Sequence, residues 1–145
     1  MFKRLLLPTD GSELSMRAVR MGLELARTCQ ASVLALHVVP PFHTMSYMAE
    51  MLAATEATYT EESVARSEQF LEDISAEAKK AGVTCETLSV TGDHPYQQIA
   101  QAAADRECDL IVMASHGWRG LNRLLLGSET HKVLLKTDVP VLVCH

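Results

Sequence analysis

Three glycines and a serine carry the first chemical signal in this 145-residue sequence. They follow the stretch Cys108-Asp109-Leu110-Ile111-Val112-Met113-Ala114-Ser115-His116-Gly117, in which Leu110 to Met113 is a short apolar run of strand formers. Gly117, Gly120 and Gly127 then allow the backbone to approach a ligand closely or to take positive φ, and Ser128 is a candidate N-cap for the periodic segment that follows. A strand, a loop and a helix start in that order leave free N–H groups at the positive end of a helix dipole, which suits an anion and most often a phosphate. Glycines between a strand and a helix are also ordinary punctuation, so spacing alone does not decide between a phosphate site and a plain connection.

The rest of the chain must position that loop. Its 145 residues fit one domain, 1–145, large enough to bury about two thirds of its unfolded surface. Apolar residues make up 48%, charged residues 21% and aromatics only 5%, so the core is aliphatic. Net charge is −5, and no basic cluster exceeds the Lys79-Lys80 pair, which argues against a nucleic-acid partner. The four cysteines, Cys29, Cys85, Cys108 and Cys144, lack CxxC or Cys/His ligand spacing and read as small core residues of a reducing compartment. Leu5-Leu6-Leu7 is too short for a signal peptide or a membrane span, and a cytoplasmic address is expected.

Along the chain, residues 4–8 form a short buried strand, apolar from Leu5 on, that ends in Pro8-Thr9-Asp10-Gly11-Ser12, a turn and a helix cap. A helix over 13–28 is predicted to turn Leu14, Ala18, Val19, Met21, Leu25 and Ala26 inward. A second apolar strand covers 31–39 and stops at Pro40-Pro41. Residues 42–60, with Met45, Tyr47, Met48, Met51 and Tyr59, suit a lid-like or partner-facing segment or a plain extension of the helix predicted over 61–81. That helix is expected to bury Val64, Phe70, Leu71, Ile74 and Ala78. Residues 83–90 alternate, as a strand with one partly wet face or a sheet edge does, and a helix over 96–107 turns Ile99, Ala100, Ala103 and Ala104 inward. The glycine loop leads to a helix over 128–136, and the chain closes on Val141-Leu142-Val143-Cys144.

Five strands alternating with four helical segments argue for right-handed crossovers and a doubly wound five-stranded parallel sheet with helices on both faces. In such α/β sheets ligands sit beyond the carboxyl ends of the strands, at the point where strand order reverses. Pro8-Thr9-Asp10, Val38-Val39 and Met113-Ala114 are all such ends, on the same side as the loop from Gly117 to Gly127.

Taken together, LLLPTDGSELS, ALHVVPP, DLIVMASHG, LLLGSET and VPVLVCH resemble the universal stress proteins over essentially the whole chain. That family's nucleotide motif reads glycine, two residues, glycine, nine residues, glycine, then serine or threonine. Gly117, Gly127 and Ser128 match it, and Ala114 stands where its first glycine would be. The resemblance implies a Rossmann-like sheet in the order 3-2-1-4-5 and binding of ATP with Mg2+. It implies that Asp10 meets the ribose hydroxyls or helps hold the metal. Pro8, Thr9 and Val38, beside Met113 and Ala114, would line the base slot, and Gly117, Gly127, Ser128 and Glu129 would hold the phosphates. A homodimer joined through Val139 to Cys144 is implied as well.

Each of these residues also has a plainer reading. Asp10 can close a turn, Ser128 can cap a helix, His116 can be structural, and Arg119, Arg123 and Trp118 can face solvent. Ala114 keeps a carbonyl contact at the cost of a methyl, or is strained if the position needs positive φ. The resemblance implies an ATP-binding stress-signalling module, and with no base positioned beside a nucleophile at most slow hydrolysis is expected. The alternatives are a nucleotide-free dimeric interaction module and an ATP-cleaving transferase of a related fold.

Overall fold

The computed structural model describes residues 1–42, 49–118 and 125–145, and their side chains except those of 49–54. The elements are β1 (Arg4–Thr9), α1 (Glu13–Cys29), β2 (Ser32–Val39), α2 (Ala49–Ala81), β3 (Cys85–Thr91), α3 (Pro95–Asp105), β4 (Leu110–Ala114), α4 (Ser128–Lys136) and β5 (Val141–Cys144). The strands form one parallel sheet in the order β3-β2-β1-β4-β5, as the sequence reading has it. Strand order reverses between β1 and β4, which places the switch point directly under the turn after β1 and the loop after β4.

The period-2 alternation of a strand divides the core in two. Leu5 and Leu7 join Val19, Leu23 and Ile74 on the face covered by α1 and α2, while Leu6 joins Leu34, Ile99, Ile111 and Val133 on the other. All of β4 and nearly all of β1 and β2 are buried, which is why those segments read as continuous apolar runs. β3 lies at an edge and shows the alternating exposure expected there.

Local chemistry starts the first helix where the sequence puts it. Ser12 caps α1, its Oγ accepting from the Ser15 N–H at 3.2 Å, and Gln30 closes the helix in the left-handed region. At α4 the expectation is corrected: Gly127 occupies the N-cap position with no side-chain bond, and Ser128 is the first helical residue. Three inward faces are also corrected. Met21 is 49% exposed and Gly22 and Leu23 turn inward instead, Val64 is exposed while Ser63 and Ser67 are buried, and Ala102 replaces Ala104 on the inner face of α3. Residues 49–60 form the start of α2, so over that span the helix-extension reading holds. Met45, Tyr47, Met48, Arg119, Gly120 and Arg123 lie outside the described residues.

Candidate functional site

A cavity opens on the carboxyl-end rim of the sheet, in two joined compartments. The inner one, about 190 Å³, is bounded by Pro8, Thr9, Val38, Met113 and Ala114 and is mostly apolar. The outer one, about 710 Å³, extends from Asp10 and the start of α4 to the face of α2. Asp10, Val38, His116, Gly117 and Glu129 line both, so all ten residues singled out from the sequence gather around this space. Its size is that of a small-molecule site, with a few polar groups converging on an apolar slot.

Asp10 ties the two sides of the rim together. Its Oδ1 accepts from the Ser12 N–H at 2.9 Å, closing the turn after β1, and its Oδ2 accepts from the Trp118 N–H at 3.1 Å. The Trp118 indole Nε1 donates to the Asp10 carbonyl at 2.7 Å, while the ring itself stays 68% exposed at the mouth of the outer compartment. The turn-closing reading of Asp10 is therefore met, yet each carboxylate oxygen keeps a lone pair for a further donor. The Thr9 hydroxyl, by contrast, is engaged inside the turn, at 2.8 Å from Ser15 Oγ and accepting from the Gly11 N–H at 3.1 Å.

The loop glycines act through close approach. Neither Gly117 nor Gly127 has positive φ. A β-carbon on Gly117 would sit 2.2 Å from Asp10 Oδ2, and one on Gly127 2.6 Å from the Ser115 carbonyl oxygen. Their missing side chains thus let residue 117 approach Asp10 and residue 127 approach the end of β4, which brings the start of α4 over the cavity. Gly127 N–H donates to the Ser115 carbonyl at 2.8 Å, and Thr130 Oγ1 donates to the carbonyls of Ala114 and Ser115 at 2.9 and 3.2 Å. Ala114 has negative φ, so alanine carries no backbone strain there and its carbonyl remains in use.

At the start of α4 the N–H groups of Ser128 and Glu129 have no acceptor among the described residues, and neither does the Ser128 hydroxyl. These are the orphan donors of a helix start, and they line the outer compartment. The Glu129 carboxylate points to other work. Its Oε2 accepts from the Tyr96 N–H at 3.2 Å at the start of α3, and its Oε1 pairs with Lys132 at 3.2 Å. His116 Nδ1 lies 2.9 Å from Ser115 Oγ, and Ser115 is 1% exposed, so this pair presents no accessible nucleophile.

Sequence reasoning missed His37, Ser63 and Arg66, which also line the outer compartment. His37 stands one residue before Val38 on the opposite face of β2, with Nδ1 2.8 Å from Ser67 Oγ; Ser67 in turn lies 2.8 Å from Ser89 Oγ. Burial pushes its pKa below the ordinary imidazole value, Asp10 opposes that shift and Arg66 adds to it, so the ring is neutral at pH 7. The signal that would have found Ser63 and Arg66 is the spacing of Tyr59, Ser63, Arg66 and Phe70 along one helical face.

A sequence model of the universal stress protein family matches residues 1–145. The chain belongs to that family. It is 32% identical to the Bacillus subtilis universal stress protein YxiE over 99% of both chains. It is 33% identical to a universal stress protein of Thermus aquaticus, covering 99% of this chain and 98% of that one. The solved structure of a Methanocaldococcus jannaschii universal stress protein superposes with a TM-score of 0.83 at 29% identity, over 99% of this chain and 96% of the other. A universal stress protein solved in complex with cAMP superposes with a TM-score of 0.74 at 25% identity, over 99% of this chain and 97% of the other. As a universal stress protein, the chain shares a fold whose solved members include nucleotide-bound ones, and among its described residues no helix is long and apolar enough to cross a membrane.

Proposed function

We propose that this universal stress protein binds ATP with Mg2+ in the rim cavity and acts as a cytoplasmic, dimeric stress-signalling module, with at most slow hydrolysis. One observation carries the reading: N–H groups and a hydroxyl at Ser128 and Glu129 that have no partner among the described residues stand in one cavity with the Asp10 carboxylate and an apolar slot. The cAMP complex of a relative supports the nucleotide class. In this reading the base enters between Val38, Pro8, Thr9, Met113 and Ala114, and Asp10 takes the ribose hydroxyls through its spare lone pairs. Gly117 and Gly127 hold the loop close, and the α4 start donates to the phosphates.

The donor set fits Mg2+ held mainly by the phosphates, since Mg2+ is commonly bound through one or two carboxylates together with phosphate oxygens and Asp10 supplies one carboxylate. Bound there, the ion neutralises phosphate charge. Titration of the purified protein with ATP at millimolar Mg2+, followed by calorimetry, is expected to saturate at one nucleotide per chain. A flat isotherm would remove the nucleotide and leave the interaction-module reading. Release of AMP and pyrophosphate would instead favour the transferase alternative, for which the described residues offer no base beside an accessible nucleophile.

For the dimer, the supporting feature is the edge strand β5. Val141 and Val143 are half-buried, and Leu142 remains 38% exposed at the end of the sheet. An apolar strand at an unpaired edge is a template for a second strand. Val141→Lys is expected to give monomers in sedimentation velocity where the unaltered chain gives dimers; a persistent dimer would place the contact elsewhere.

A further inference from the structure

The side of the outer compartment away from the glycine loop carries polar groups that the nucleotide reading above does not use. Ser63 is 8% exposed and His37 9%, yet both line the cavity. The Ser63 hydroxyl makes no hydrogen bond among the described residues, and His37 commits only Nδ1, to Ser67, which leaves Nε2 unpartnered there as well. Neither atom is sealed in the core: both open to the cavity, where a ligand can reach them. Arg66, one helical turn from Ser63, makes no ion pair among the described residues and is, among the described residues, the one Arg or Lys that lines the cavity.

These groups are held in place. The Phe70 ring fills the space that a side chain on Gly11 would need and meets the His37 ring edge-on, at 5.3 Å between centroids. Ser67 bridges His37 to Ser89 on β3. The face of α2 is thereby fixed to the turn that carries Asp10, and the position of Ser63 and Arg66 relative to the rim is set by packing.

We infer that Ser63, Arg66 and His37 Nε2 form a second wall for phosphoryl oxygens, on the α2 side of the cavity, that takes the distal phosphates of the bound triphosphate. In the tautomer in which Nδ1 accepts from the Ser67 hydroxyl, His37 carries its proton on Nε2. That ring N–H, a hydroxyl donor and a guanidinium together match a phosphoryl group, and Arg is the side chain suited to binding it through two donors. A monophosphate held at the start of α4 uses the amides alone, whereas a triphosphate uses both walls, so the α2 side sets the preference for phosphate number. This rests on the adenine-nucleotide reading, and the experiment separates the two.

Calorimetric titrations with ATP, AMP and tripolyphosphate would be run on the full chain and on the Arg66→Gln and Ser63→Ala variants. Arg66→Gln changes an exposed side chain and is expected to leave the melting temperature unaltered. It should weaken ATP binding by about tenfold to a hundredfold, the usual loss for a charge-assisted hydrogen bond, and leave AMP binding unchanged. Ser63→Ala should weaken ATP binding by about threefold to tenfold, again sparing AMP. Equal losses for AMP and ATP, or no loss for either, would overturn the second wall while the nucleotide reading stood. Tripolyphosphate bound in an Arg66-dependent manner by a chain that binds neither nucleotide would overturn the nucleotide reading and keep the wall. Binding of none of the three removes both. Inorganic phosphate added to the AMP complex separates the sources: Arg66-dependent uptake of phosphate, with ATP affinity insensitive to Arg66, would assign the wall to a separate anion and overturn its assignment to the nucleotide's own phosphates.

Discussion

Gly127→Ala is expected to reduce ATP affinity by about a hundredfold while the protein stays folded. The added β-carbon would lie 2.6 Å from the Ser115 carbonyl oxygen and 3.3 Å from the His116 Cα, both backbone atoms that cannot rotate away. Residue 127 must therefore retreat from β4, and with it the Ser128 and Glu129 N–H groups that follow directly in the chain. A hydrogen bond to a charged acceptor is worth about 1.5–3 kcal/mol, so misplacing two donors reaches the hundredfold range even if one is partly recovered. The sheet does not depend on this residue, because Thr130 Oγ1 separately fastens α4 to the carbonyls of Ala114 and Ser115. Isothermal titration with ATP, beside far-UV circular dichroism, checks both halves of the expectation. Unchanged affinity would show that the start of α4 does not hold the phosphates.

The largest loss of stability is expected from Ile111→Ala, at about 3–4 kcal/mol. Ile111 is fully buried in β4, opposite Leu6 on β1 and Val141 on β5, in the cluster that also holds Leu34, Ile99 and Val133. Strands on either side and helices above cannot collapse into the space left by the removed atoms, so a cavity term adds to the lost transfer energy. Urea denaturation should show a lower midpoint at an unchanged slope. A loss under about 1 kcal/mol would mean that the site relaxes, contrary to the packing around β4.

Much of the frame could be read in one dimension because its causes are local. Leu5-Leu6-Leu7 and Leu110 to Met113 are unbroken apolar runs because their strands are covered on both faces, and the alternating 83–90 stretch became an edge. The β1 end at Pro8-Thr9-Asp10 and the glycine loop lie on one rim because parallel strands put all their carboxyl ends on one side. The residues implied by family resemblance gather there, with the difference that Ser128 is the first helical residue and Gly127 the cap.

The sequence by itself determined the strands, the crossovers and the rim side on which the loop must lie, since periodicity, caps and chain connectivity act over a few residues. It did not determine which face of a helix meets the sheet where small polar residues are buried. Val64 looked inward by hydrophobicity, but Ser67 occupies that face bonded to His37 on β2, 30 residues before it, and Ser63, one turn earlier, lines the cavity. It likewise left open whether Ala114 was strained, which the negative φ at the end of β4 settles. The tertiary structure decided what Gly117 and Gly127 are for, because the atoms they make room for, Asp10 Oδ2 and the Ser115 carbonyl, come from β1's end and β4's end and approach these glycines only in the folded sheet.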